Sequence, residues 1–110
     1  LRGEPSLVIE LYFGRSVPER GPVTDAEWRD FAATVIAREF PDGFTVLDAD
    51  GQWRDPRDGR TNVERTKLVV VAVPRVPATL AKVDAVTAAY RRMFAQQSVG
   101  QVIREACAAF

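Results

Sequence analysis

The run Lys67-Leu-Val-Val-Val-Ala-Val73 restricts the fold of this chain more than any other stretch. It is the longest apolar run and is rich in β-branched residues. Glu64, Arg65 and Lys67 bound it on one side and Pro74 on the other. A run this short suits a buried strand better than a buried helix. Valine loses side-chain freedom in a helix and packs well on a pleated surface. The stretch therefore predicts a central strand with both faces at least partly covered.

The remaining segments supply what such a strand needs around it. Leu7 to Phe13 alternates: Leu7, Ile9, Leu11 and Phe13 share one face, while Val8, Glu10 and Tyr12 share the other. The first set is expected in the core. A loop with Pro18, Gly21 and Pro22 follows. Thr24-Asp-Ala-Glu27 has the spacing of a capping box, and Asp25 and Glu27 suit the positive end of a helix dipole. Trp28, Phe31, Ala32, Val35 and Ile36 form the buried stripe of this helix, which ends before Pro41. A second strand spans Phe44 to Arg54. Asp50-Gly51 inside it reads as a turn or a bulge, with the bulge preferred because little chain follows before Pro56. The turn then falls at Asp55 to Arg60, and a third strand runs from about Asn62 to Val73. The result is one long hairpin whose tip projects beyond the core.

A second helix is expected from Ala78 to about Gln96, with Leu80, Val83, Val86, Tyr90, Met93 and Phe94 on its apolar face. Its start is poorly marked, because Pro77 as the first helical residue leaves Val76 as the cap. Ser98-Val-Gly100 breaks the helix, and Val102 to Phe110 makes an edge strand. The order β-α-β-β-α-β predicts an α+β, ferredoxin-like sandwich with two helices on one face of a four-stranded sheet. In that expectation strands one and three are central and parallel, and the second face is open.

Composition excludes several chemistries. A chain of 110 residues makes one domain with a core that needs no staples. Fifteen basic residues balance fifteen acidic ones, which argues against nucleic acid as the partner. No apolar stretch reaches the roughly 20 residues of a membrane helix. Histidine is absent, which removes Ser-His-Asp and Cys-His catalysis and His-ligated metal sites. The single cysteine, Cys107, permits no internal disulfide, and is expected to be a buried, inert thiol. Asp42, Asp48, Asp50 and Asp55 lack the spacing of a calcium loop, so neither metal nor cofactor is expected.

Leu11-Tyr-Phe-Gly-Arg-Ser16, Thr24-Asp-Ala-Glu-Trp28 and Phe40-Pro-Asp-Gly-Phe-Thr-Val-Leu-Asp48 together resemble a bacterial family known only as a domain of unknown function. Gly51-Gln-Trp-Arg54, Glu64-Arg-Thr-Lys67 and the closing Cys107 to Phe110 extend the resemblance over nearly the whole chain. Members of such families are often exported or lipid-tethered. That implies an exported location with a leader removed, in keeping with a first residue, Leu1, that is not Met. The resemblance implies no activity and no catalytic residue.

The open sheet face is the leading candidate site. With Leu68, Val70 and Ala72 assigned to the helices, Arg65, Lys67, Val69, Val71 and Val73 join Val8, Glu10 and Tyr12 on the open side. An apolar floor of this size favours burial. The preferred reading is a homodimer packed through Val8, Val69 and Val71, with Glu10 paired to Lys67 or Arg65. A small-ligand site at Glu10, Tyr12, Arg65 and Lys67 is compatible with it. The functional expectation is an interaction domain that self-associates. The alternative is a small cofactor-independent enzyme of the dimeric α+β barrel kind, using Glu10 or Tyr12 for proton transfer. A lesser candidate is an anion site at Arg15, Ser16 and Arg20, weakened by Asp25 and Glu27 beside it. Trp53 on the projecting hairpin reads as a contact aromatic or as cover for the edge of the core.

Overall fold

In the computed structural model, which describes residues 2–110, two helices cover one face of a four-stranded antiparallel sheet. The strands are β1 (Glu4–Gly14), β2 (Thr45–Arg54), β3 (Thr61–Pro74) and β4 (Gly100–Ala108), in the spatial order β2-β3-β1-β4. The Lys67 to Val73 run lies in β3, one of the two central strands, as its composition predicts. β1 and β3 are antiparallel, not parallel as expected. The reason is the hairpin: β3 returns alongside β2 in the opposite direction, so it also opposes β1.

The hairpin runs straight through Asp50-Gly51. Asp50 pairs with Arg65, Gly51 with Glu64 and Gln52 with Val63, so this dipeptide is neither turn nor bulge. A Cβ on Gly51 would stand 2.8 Å from the Thr66 hydroxyl, and close approach across the ladder is what glycine permits here. The chain turns between Asp55 and Arg60, with Gly59 in the left-handed region at φ 71°.

This register decides which side of β3 meets the helices. Ile9 lies opposite Val71, and Leu11 opposite Val69, and directly paired residues share a face. Val69 and Val71 are therefore core residues, at 0% and 2% exposure, and do not form an interface. Leu68, Val70 and Ala72 occupy the open face. The expected assignment is inverted because both residue sets are apolar, so alternation carries no information in this strand. β1 keeps its expected faces: Ile9, Leu11 and Phe13 are fully buried.

The first helix begins at Asp25 behind the Thr24 capping box, with both reciprocal hydrogen bonds present. It is α-helical over Asp25–Phe31, π-helical over Ala32–Ile36 and α-helical again over Ala37–Glu39. The second helix spans Pro77–Met93, with no side-chain cap at Val76 and Arg91 and Arg92 in its last turn. Val83, Val86 and Tyr90 are buried along it, whereas Leu80 and Met93 are half exposed. Between helices and sheet lies an aromatic cluster of Phe13, Trp28, Phe31, Tyr90 and Phe94. Its ring centroids are 4.8–6.3 Å apart, mostly edge to face. Each such pair contributes about 0.5–1.5 kcal/mol beyond its buried area.

The β2–β3 hairpin continues past this core. Val63, on the helix side of the hairpin, is 71% exposed because no helix reaches that far. The molecule measures 45 × 29 × 22 Å with a radius of gyration of 14.9 Å, above the roughly 13 Å of a compact domain this size.

Candidate functional site

On the open face, strand pairing places Glu10 beside Val70 on one flank and Val102 on the other. Two residues along β1, the Tyr12 hydroxyl donates to Glu10 Oε1 at 2.9 Å. Arg104 Nη2 on β4 donates to Glu10 Oε2 at 2.9 Å. The Arg104 guanidinium, and then the Tyr12 phenol, hold the Glu10 carboxyl below its usual range. The same carboxylate raises the Tyr12 phenol. Both groups are thus fixed in their ordinary charge states around neutrality, which suits an ion pair better than proton transfer.

The partner of Glu10 is Arg104, not Lys67 or Arg65. Those two lie on the helix side of β3. Lys67 Nζ donates to Asp48 at 2.6 Å and stands 6.0 Å from the centre of the Trp28 ring. Arg65 pairs with Asp50. The expected constellation of Glu10, Tyr12, Arg65 and Lys67 therefore divides between two faces. Arg104 was missed because the final strand shows no alternation that marks which side faces the helices.

The other sequence candidates resolve locally. Arg15 donates to the Val23 carbonyl and pairs with Asp25, while Arg20 pairs with Glu27. These arginines tie the loop to the helix start rather than leaving an anion site open. Ser16 contributes its backbone N–H to Glu64 Oε2 at 3.0 Å. Asp48, Asp50 and Asp55 each hold a basic side chain, Lys67, Arg65 and Arg57 respectively. Among the described residues no group of acidic, Cys or His side chains has a metal-binding arrangement. Cys107 is exposed on the edge strand, not buried.

A cleft of about 830 Å³ opens where β1 leaves the sheet and the hairpin projects. Its floor is made of small residues on adjacent strands: Gly14, Ala49, Gly51, Thr66 and Gly100. Tyr12 and Trp53, 38% and 46% exposed, supply aromatic walls. Loop residues from Ser16 to Pro18 and from Ala95 to Ser98 close one side, joined by Gln96 Nε2 donating to the Ser16 carbonyl at 2.7 Å. Glu64 lies across the floor. Its Oε1 accepts from Trp53 Nε1 at 3.1 Å and its Oε2 from the Ser16 N–H. A Cβ on Gly14 would come within 2.7 Å of this carboxylate, so glycine there makes room for it. Glu64 and Gly14 stand within the motifs quoted above, but only the register reveals that they meet.

The DUF3574 family model, described as a protein of unknown function, matches residues 8–110. The chain belongs to DUF3574. No curated protein matches this DUF3574 domain. Solved structures that share its fold include two of a phage enzyme. One is a phage SAM lyase in complex with S-methyl-5′-thioadenosine: TM-score 0.72, 20% identity, 96% of this chain and 84% of that one covered. The other is a phage SAM lyase in the apo state: TM-score 0.64, 17% identity, coverage 90% and 79%. Among the described residues no helix is long and apolar enough to cross a membrane.

Proposed function

We propose that this DUF3574 domain is a small-molecule-binding module whose site is the cleft beside Glu64, Tyr12 and Trp53. One observation carries the reading: a carboxylate held by two N–H donors on a floor of small residues, between two partly exposed aromatic rings. Concave sites with aromatic walls and a few placed polar groups are the usual form of ligand pockets. The sheet order β2-β3-β1-β4 with both helices on one side supports reading the domain as ferredoxin-like. The likeness to a phage SAM lyase complexed with S-methyl-5′-thioadenosine suggests adenine thionucleosides as the first compounds to test. Calorimetric titration with S-methyl-5′-thioadenosine tests the reading. Micromolar binding that weakens in Trp53→Ala supports it, and no binding at millimolar ligand rejects it.

The same face supports self-association. Leu47 and Val102 are 45% and 41% exposed, and Val8, Leu68, Val70 and Ala72 lie half-buried between them. This patch takes the place of the expected Val8, Val69 and Val71. A second copy packed there would cover the apolar floor and wall the cleft. Turnover of the bound ligand is the second reading, favoured by the lyase activity named for both fold neighbours. Fold alone is weak support for chemistry, so product analysis after incubation with SAM decides it.

A further inference from the structure

We propose that the ligand of this cleft is an organic cation, and that Glu64 is the residue that recognises its charge. The inference rests on the cleft being a small-ligand site and adds the chemical class.

Charge balance within the cleft singles out Glu64. Three other ionised side chains in the cleft wall are compensated: Asp55 by Arg57, which also lines the wall, and Asp50 by Arg65. Glu64 forms no ion pair among the described residues. Its two hydrogen-bond donors, the Trp53 indole and the Ser16 amide, are both neutral. They fix the carboxylate in place without cancelling its charge. An ionised carboxylate offers about four lone-pair positions, and these two bonds occupy only two. The remainder of the charge acts on the cleft, where low-dielectric walls focus the field and raise the local concentration of cations.

The walls suit the same class. Trp53, whose indole N–H bonds the carboxylate, and Tyr12 line the same cleft, and aromatic rings attract poorly hydrated cations such as sulfonium and quaternary ammonium. The small-residue floor lets a flat group lie close to the sheet. A positively charged centre joined to a flat ring meets both features. Simple metal cations do not fit as well, since one carboxylate with two indole and amide contacts lacks the oxygen-rich shell they need.

Two compounds that differ by one methyl group and one positive charge isolate the point. S-adenosylmethionine carries the sulfonium; S-adenosylhomocysteine is its neutral thioether. Titration of the folded domain is expected to show the sulfonium compound bound about ten-fold or more tightly, the value of one charge-assisted contact. In Glu64→Gln that preference disappears, and far-ultraviolet circular dichroism with a urea unfolding curve verifies that the variant is folded. Equal binding of the charged and neutral compounds by the wild type overturns the inference whatever the variant does. So does a preference that survives in Glu64→Gln. In both cases binding of S-methyl-5′-thioadenosine leaves the ligand site itself standing. Failure of all three compounds to bind removes the site and the inference together.

Discussion

Tyr90 carries more than its ring. Its hydroxyl donates to the Gly14 carbonyl at 2.7 Å, joining the second helix to the strand position that makes room for Glu64. Burial pushes its phenol above the ordinary value of 10.0. A group raised in the folded state contributes stability that is complete below the unfolded value and lost as pH rises through the folded one. Wild-type stability should therefore fall above about pH 10. Tyr90→Phe should cost about 1–2 kcal/mol at neutral pH and show a smaller alkaline decline, both measured by urea unfolding. Ala95 presents the opposite case. It follows the second helix at φ 52°, a left-handed conformation that costs a side chain. Ala95→Gly should raise stability by about 0.5–1 kcal/mol, read as a shift in the urea midpoint. Residues such as Trp28 and Phe13 were legible as core from spacing alone. Glu64 was not, because its role depends on two backbone neighbours far away in sequence.

At the scale of elements, the first helix shows where local signals suffice. Thr24 and Glu27 complete the capping box that their spacing predicts. Arg20, then the Thr24 amide, pull the Glu27 carboxyl down from 4.5 to about 2. A depressed carboxyl contributes stability that is complete above its unfolded value and lost as pH falls through its folded one. The stability gap between wild type and Glu27→Gln should thus be full at neutral pH. It should narrow between pH 4.5 and about 2, followed by helical circular dichroism in urea. The π segment at Ala32–Ile36 has no comparable signal: its residues fit an ordinary amphipathic stripe. Strand β3 marks the limit of pattern reading. Its existence follows from its valines, but its orientation does not, since a slip of one residue exchanges two apolar faces. Only pairing with Ile9 and Leu11 breaks the tie.

At the scale of the molecule, β1 and β3 hold the fold while β2 and β4 stay mostly exposed along their length. Amide hydrogen exchange should be slowest in the ladder between Ile9 and Phe13 and its β3 partners, and fastest at the outer edges. Light scattering should show a self-associated wild type, with Val102→Lys shifting it toward monomer. A wild type that is monomeric at high concentration would remove the self-association proposal. The pairing of β1 with β4 has a temporal consequence. Glu4 lies opposite Ala108, so the strand made first waits for the strand made last. During synthesis β1 can join the hairpin, but its other edge stays bare until residue 108 clears the ribosome. For that interval a nascent chain presents an unpaired, apolar-flanked edge. Nascent chains stalled when β3 has emerged from the ribosome and β4 has not should therefore be bound by chaperones and cut by protease, and chains in which Ala108 has also emerged should resist both.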